Sequence, residues 1–361
     1  MSAYIFHRDE YERLYNCSLY DVDSIPVESR RREVHGWSLI VLFVMFEVLY
    51  IPCILGIYKH MQNAAYRIMF YIAILDIFVM WICGYLTGYL AINGDVFCNR
   101  PTLIYFAGIG GLAFWYAESA ATLLLAFNRC LEAWSPHWAH VLFSGGKAWY
   151  WVLGITAYAS TGAFFFKPIL FSSIPFSWFY NPHVGYIDDF GATYSNVFLQ
   201  AHNVVIIGGL IGLYTIFSIS IFLKMKYYKD TKVTMTRKSK GPFIQVFLIS
   251  SLNVGDVSIY MIMQFVAISP FLIVFSSFGW LCIHGLPCLI YMTMNKSIRR
   301  ECYRYALILI NFRKIRISVI LPSVSAISHT GHPSQHSHSA QQPHTRSAVT
   351  RNFATSSVKF G

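Results

Sequence analysis

The sequence has little charge. Only 12% of its 361 residues are Asp, Glu, Lys or Arg, whereas 55% are hydrophobic, and the mean hydropathy is +0.47. A soluble fold could not keep this much apolar surface away from water, so the composition indicates a membrane protein. The formal net charge of +11 lies mainly in loops and the tail. Membrane topology explains it better than nucleic acid does, so no nucleic-acid partner is predicted.

The sequence also lacks the motifs of common enzymes and cofactor sites. It has no HExxH, GxSxG or phosphate-binding-loop pattern, so we predict no enzyme and no catalytic residue. There is no CxxC pair, and the cysteine spacings do not resemble a zinc site, so no metal or other cofactor is predicted. Residues 272–294 contain no lysine that could carry retinal. Residues 1–35 have no apolar core, so we expect the first span to serve as the insertion signal.

What is present is a series of long apolar segments. A helix needs roughly 20 such residues to cross a bilayer. The pattern therefore predicts an all-α membrane protein with a seven-transmembrane helix bundle over residues 36–295. The predicted helices are about 37–58, 66–90, 101–128, 148–166, 200–223, 243–268 and 272–294.

The positions of Lys and Arg predict the orientation of these spans. The basic residues concentrate in the loop at 59–67, in the loop at 224–240 and after residue 294, all on one side of a seven-span bundle. Cytoplasmic loops carry such an excess, so we expect the N-terminus outside and the C-terminus inside. The run Arg30-Arg31-Arg32 before the first span favours the reverse, but the larger, repeated bias is the better guide.

The flanking segments carry three candidate modification or cross-linking sites. Residues 1–35 form an extracellular tail, in which Asn16 is a glycosylation candidate and Cys17 is the available partner for a disulfide with Cys98. Residues 296–317 alternate basic and apolar side chains, which predicts a juxtamembrane amphipathic segment with Cys302 as a palmitoylation candidate. Residues 318–361 are expected to be a disordered cytoplasmic tail.

Acid and amide side chains inside the spans cost free energy, so each of them indicates a structural or functional role. Asp76 lies near the middle of the second span, and Asn253 and Asp256 lie on nearly the same face of the sixth. They predict an internal polar network that changes between two packings of the bundle. The alternative is a static set of hydrogen bonds between helices.

One stripe of the third span is smaller and more polar than the rest of that helix. It runs from Trp115 to Arg129 at helical spacing, with Glu118 at its edge. We interpret its outer part as the wall of a ligand pocket, although ordinary packing by small residues is the alternative for Ser119. The pocket candidates from three spans are Trp115, Glu118, Ser119, Thr122, Gln200, Asn203 and Gln264. The last three could instead be plain interface residues.

An ordered set of short motifs gives the sequence a family resemblance. The set comprises Tyr15-Asn16-Cys17, Ala65-Tyr66-Arg67-Ile68-Met69, Leu75-Asp76, Cys98 with Pro101, Asn128-Arg129-Cys130, Gly146-Lys147, Tyr180-Asn181-Pro182, Gly285-x-Pro287, Ile290-Tyr291, Asn295, Ile298 and Arg299. From about residue 15 to 305 the chain resembles the nematode serpentine chemoreceptor class T (Srt) family. It departs from the rhodopsin-like pattern at Cys130 and Tyr291.

The resemblance implies a G-protein-coupled receptor of sensory neurons, delivered to the plasma membrane of their cilia. It implies a small-molecule environmental ligand, a heterotrimeric G protein as partner, and G-protein coupling through Asn128 and Arg129. Two other functions stay open from the sequence. A seven-span ligand-gated channel would have its N-terminus inside, and a transporter would have internal repeats.

Overall fold

Seven long helices make up the body of the protein. A computed structural model describes residues 1–189, 193–227, 237–263, 269–305 and 307–308, and over 220–227 and 237–243 it describes the backbone alone. The helices are α1 (Glu33–Tyr58), α2 (Ala64–Asn93), α3 (Pro101–Trp134), α4 (Lys147–Phe165), α5 (Val197–Tyr227), α6 (Arg237–Met263) and α7 (Pro270–Met294). Each corresponds to a predicted span and differs from it mainly at the ends. For example, α3 continues to Trp134 and α6 begins at Arg237, each about two turns beyond the predicted end.

Six of these helices are long and apolar enough to cross a membrane. The exception within the described residues is α4, whose 19 residues include several Trp, Tyr, Ser and Thr side chains that lower its hydropathy. The fourth predicted span is nevertheless a helix of the bundle. Its Ala159 and Ala163 are buried, and Thr156 is hydrogen-bonded to Tyr71 of α2 at 2.8 Å. Met1–Ile308 forms one compact unit, and residues 309–361, including the predicted disordered tail, lie outside the described residues.

The second helix is not regular along its whole length. Residues Trp81–Leu86 form a π-helical turn between two α-helical parts, Ala64–Met80 and Thr87–Asn93. The hydroxyl of Thr87 donates to the carbonyl of Ile82 at 2.8 Å. The backbone N–H of Thr87 bonds to the same carbonyl, so the Ile82 oxygen is satisfied inside the apolar bundle despite the wider turn.

One end of the bundle is covered by the N-terminal segment and a β-hairpin. Cys17 and Cys98 are joined by a disulfide, and short helices over residues 2–30 pack onto the start of α3. The hairpin consists of the antiparallel strands Leu170–Ser172 and Ser177–Phe179. We call this end of the bundle the hairpin end.

The arginines before α1 help to hold these pieces together. Arg30 is buried, and its guanidinium donates to the carbonyl of Gly94 and the side chain of Asn99. Arg32 donates to the carbonyl of Ile174, within the hairpin, at 2.9 Å. Of the run Arg30-Arg31-Arg32, which favoured the reverse orientation, two residues are therefore bonded within the protein.

The opposite end is closed by residues 296–305, which are helical and form the described part of the predicted juxtamembrane segment. Lys59, at the end of α1, forms an ion pair with Glu301 at 2.9 Å. The hydrogen bond from Lys59 holds the pKa of Glu301 below its usual value. Ile298 is fully buried and lies beside Gly56 of α1. These contacts dock the segment against the first helix.

Candidate functional site

A cavity lies beneath the hairpin, between α3, α5, α6 and α7. It encloses about 550 Å³ of empty space, part of which is open to solvent. We call it the covered cavity. Its described lining residues are Gly111, Leu112, Trp115, Ile169, Ser177, Trp178, Leu199, Asn203, Asp256, Val257, Tyr260, Ser276, Ser277 and Trp280.

The hairpin contributes the cover of the cavity through Trp178. Its indole nitrogen donates to the hydroxyl of Thr87 at 2.9 Å, and its ring meets that of Trp280 edge to face, with 6.1 Å between the centroids. The hydroxyl of Tyr260 donates to the Trp178 carbonyl at 3.5 Å. The cover is therefore attached to the π-helical turn of α2 as well as to α6 and α7.

The helix α3 meets α5 and α4 through polar contacts beside the cavity. The indole nitrogen of Trp115 donates to the side-chain oxygen of Asn203 at 3.0 Å. Next to this pair, the ring of His202 lies between the hydroxyls of Ser119 and Tyr158, each 2.8 Å from a ring nitrogen. Trp115 and Asn203 line the cavity, whereas Ser119 belongs to the histidine cluster behind its wall.

Glu118 and Thr122 lie beyond the wall of the cavity rather than in it. Thr122 donates to one carboxyl oxygen of Glu118 at 2.8 Å, and both residues are almost completely buried. Asn253 of α6 lies beside Glu118, but within the described part of the chain neither the second oxygen of Glu118 nor the side-chain oxygen of Asn253 has a partner at hydrogen-bond geometry. An unpartnered buried carboxyl oxygen is costly, so Glu118 is a strained polar point of the bundle core.

Asp76 joins three helices. The hydroxyl of Tyr50 in α1 donates to one of its carboxyl oxygens at 2.7 Å, and the Nδ1 atom of His284 in α7 lies 2.8 Å from the other. Both partners are fully buried. The His284 ring in turn lies 6.4 Å, between centroids, from that of Trp115. Contacts therefore run from the wall of the covered cavity to Asp76.

The three members of the predicted polar network have different direct partners, and their joint role stays a prediction. Asp76 is bonded to Tyr50 and His284, whereas Asn253 donates to the carbonyl of Ile249 within α6, and Asp256 lines the covered cavity. His284 could have been predicted as a member of this network, because a histidine within the apolar stretch 272–294 needs a hydrogen-bond partner, just as an acid does. Nothing in the sequence distinguishes Tyr50, since tyrosines are frequent throughout this chain.

At the opposite end of the bundle, Arg129 is largely enclosed. Its guanidinium forms an ion pair with Glu132 of the same helix at 3.0 Å, and its side chain is only 10% exposed. Among the described residues, nothing forms a hydrogen bond with its Nε atom or with the side-chain oxygen of Asn128. In this conformation the residues that the resemblance assigned to G-protein coupling are therefore mostly turned into the bundle.

The other candidate residues occupy less informative positions. Gln200 is half-buried on α5 and does not line the cavity, and Gln264 lies outside the described residues. Asn16 is exposed, as a glycosylated asparagine must be, although its side-chain oxygen accepts bonds from Ser18. Cys302 is half-buried, and its thiol donates to the carbonyl of Pro52 at 3.4 Å.

Comparison with known proteins agrees with this architecture. The family model described as "Serpentine type 7TM GPCR chemoreceptor Srt" matches residues 1–316. The chain is also similar to serpentine receptor class T-55 of Caenorhabditis elegans, at 25% identity over 271 residues, which cover 74% of this chain and 73% of that relative. The match to the family model covers the hairpin end, the covered cavity and the whole helical bundle, so this chain belongs to the Srt family of serpentine chemoreceptors.

Proposed function

We propose that the protein is a chemosensory G-protein-coupled receptor that binds an environmental small molecule in the covered cavity. The observation that carries this proposal is the cavity itself, which has walls from four helices and a cover tied to α2. A ligand there would contact α3, α5, α6 and α7 at once. Such a ligand shifts the equilibrium between two packings of the bundle by the difference between its binding free energies for the two.

The proposed orientation has the hairpin end outside and the residues 296–305 inside, at the plasma membrane of sensory cilia. Two independent features support it. The Cys17–Cys98 disulfide lies at the hairpin end, and disulfides are formed and kept on the extracellular side of a membrane. Lys59, Arg67 and the basic residues after α7 all lie towards the opposite end, as expected of a cytoplasmic face.

The path from ligand to G protein is proposed to run through Trp115. Its ring adjoins His284, which holds Asp76, and the helix of Trp115 ends near Arg129. Movement of α3 against α7 would strain the Asp76 contacts and change the packing around Asn128 and Arg129. Release of Arg129 from Glu132 would then present a cation to the G protein.

A screen of odorant and pheromone-like compounds tests the proposal, with purified full-length receptor in nanodiscs and a set of heterotrimeric G proteins. We expect at least one compound to bind and to accelerate nucleotide exchange. Arg129→Ala should keep the binding and lose the exchange. Leu112→Trp, which fills the cavity, should lose both.

The matched control is Leu103→Trp, because Leu103 lies on the same helix but is 44% exposed at its surface. This variant should behave as the wild type. A compound that binds but stimulates exchange on no G protein would refute receptor coupling, and binding that survives Leu112→Trp would refute the assignment of the cavity.

A further inference from the structure

The covered cavity contains one charged side chain among its described lining residues, Asp256 of α6. None of the ion pairs within the described part of the chain includes this residue. A carboxylate enclosed among apolar groups is costly unless a positive charge or several donors accompany it. The cavity thus combines an acidic group with empty space beside it.

The position of Asp256 directs this carboxyl group to the boundary between α6 and α7. Tyr260 follows one turn later on the same face of α6 and also lines the cavity. On the α7 side, Gly279 faces Asp256, and a methyl group at position 279 would collide with the Oδ1 atom. The missing side chain of Gly279 leaves room for the carboxyl group between the two helices.

Aromatic rings surround the remaining space. Trp115, Trp178, Trp280 and Tyr260 all line the cavity, and they come from α3, the hairpin, α7 and α6. The faces of such rings attract cations, and Trp does so most strongly. The described lining includes neither Lys nor Arg, so nothing there offers a positive partner to an anionic ligand.

Building on the proposed ligand-binding role of this cavity, we propose that it takes a small organic cation, either a protonated amine or a quaternary ammonium compound. The positive nitrogen lies against the carboxylate of Asp256, and the apolar part of the ligand lies among Trp115, Trp178 and Trp280. Ser276 and Ser277 line the same wall, and because their hydroxyls donate to the carbonyls of Ile273 and Phe176, their oxygens remain as acceptors for a donor group of the ligand. Binding of the cation favours the ionised form of Asp256, which supplies the missing counter-charge.

The test compares ligands that differ only in charge. Full-length receptor in nanodiscs is titrated with a panel of primary, secondary and quaternary ammonium compounds, each paired with a neutral alcohol and a carboxylate of the same shape, such as phenethylamine with 2-phenylethanol and phenylacetate. Binding is followed by the shift in unfolding temperature. We expect ammonium members to bind about tenfold or more tightly than their neutral partners, as is typical of a hydrogen bond to a charged group.

Two variants of the same residue locate the effect. Asp256→Asn should reduce the preference for ammonium over neutral partners to about one, whereas Asp256→Glu should restore much of it. Glu28→Gln, which removes an exposed acid at the hairpin end, should leave the preference unchanged. Should Asp256→Asn fail to fold, Asp256→Glu together with the charge series on the wild type still decides the question.

The outcomes separate this inference from the proposed function. Preference for neutral or carboxylate members, no ammonium binding at all, or ammonium binding that persists in Asp256→Asn would each overturn the cation assignment. If neutral members bind and their binding is lost in Leu112→Trp, the cavity remains the ligand site and only the class of ligand is wrong.

Discussion

At the scale of single residues, the side chain of Asp76 joins three helices. Its carboxyl group receives the Tyr50 hydroxyl from α1 and faces His284 from α7. The Tyr50 oxygen also lies 2.8 Å from the carbonyl of His284, three residues before Pro287. Pro287 has no N–H for the carbonyl of Ile283, four residues earlier, so the Tyr50 hydroxyl lies directly beside the break in α7.

Removal of this hydroxyl is expected to destabilise the bundle. Tyr50→Phe removes the single hydroxyl proton that lies within reach of both the Asp76 carboxyl oxygen and the His284 carbonyl, and a buried acceptor left without its donor typically costs about 1–3 kcal/mol. The free energy of unfolding in mixed detergent micelles measures this loss. Tyr58→Phe is the matched control on the same helix, because Tyr58 is 62% exposed. Equal effects of the two variants would show that the Tyr50 hydroxyl contributes nothing specific.

The sequence predicted some of these residues and missed others for a physical reason. Asp76, Asp256 and Glu118 were recognisable because an acid in an apolar span always needs an explanation. The partner of each acid depends on the rotation of its helix about its own axis, which a sequence pattern fixes only approximately. Asn253 and Asp256 share a face of α6, yet the first points towards Glu118 and the second into the covered cavity.

At the scale of elements, α1 and α2 are brought together by two glycines. A Cβ atom added at Gly36 would lie 2.6 Å from the carbonyl oxygen of Gly88, and one added at Gly88 would lie 2.7 Å from that of Gly36. Small residues permit such close approach of transmembrane helices, whose association depends on van der Waals packing. The contact lies at the hairpin end, close to the π-helical turn that holds Trp178.

Gly36→Ala is therefore expected to push the two helices apart. The new methyl group meets the Gly88 backbone as well as the Ile92 side chain, and overpacking of this kind typically costs about 1–3 kcal/mol. Thermal unfolding of the receptor in nanodiscs provides the measurement. The matched control is Gly154→Ala in α4, where nothing lies within 4 Å of the added atom, and its stability should be unchanged or slightly raised because Ala favours helix. A neutral Gly36→Ala would contradict the close contact.

The elements themselves were largely predictable, because each apolar run is long and is bounded by polar residues. The π-helical turn and the hairpin were not. The turn depends on Thr87 being free to bond back to Ile82, and the hairpin depends on its contacts with Asp95 and Arg32, which are remote in the chain. Such remote contacts also connect the short motifs of the sequence. Tyr66, in the motif Tyr66-Arg67, donates to the side chain of Asn295 at 3.1 Å.

At the scale of the whole molecule, the two ends of the bundle differ in chemistry. The hairpin end carries the disulfide, the Tyr-rich N-terminal segment and the cover of the cavity. The other end carries Lys59, Arg67 and Arg129, together with the docked residues 296–305. This asymmetry is what the proposed orientation rests on.

Epitope tags at both termini test the orientation directly. We expect a tag before residue 1 to be stained on intact cells and a tag after residue 361 to be stained only after permeabilisation. An even number of crossings would place both tags on the same side, which would remove α4 from the spanning helices. The reverse pattern, with only the C-terminal tag accessible, is the one required by the channel alternative.

The cover formed by Trp178 is expected to control the rates at which a ligand enters and leaves the cavity. It is held by Thr87, by Tyr260 and by the ring of Trp280, so a molecule that passes it has to loosen these contacts both on entry and on exit. A barrier of this kind slows association and dissociation together and leaves the equilibrium unchanged. The hairpin then determines how long a ligand stays bound after the stimulus has ended. Other residues determine which ligand is bound.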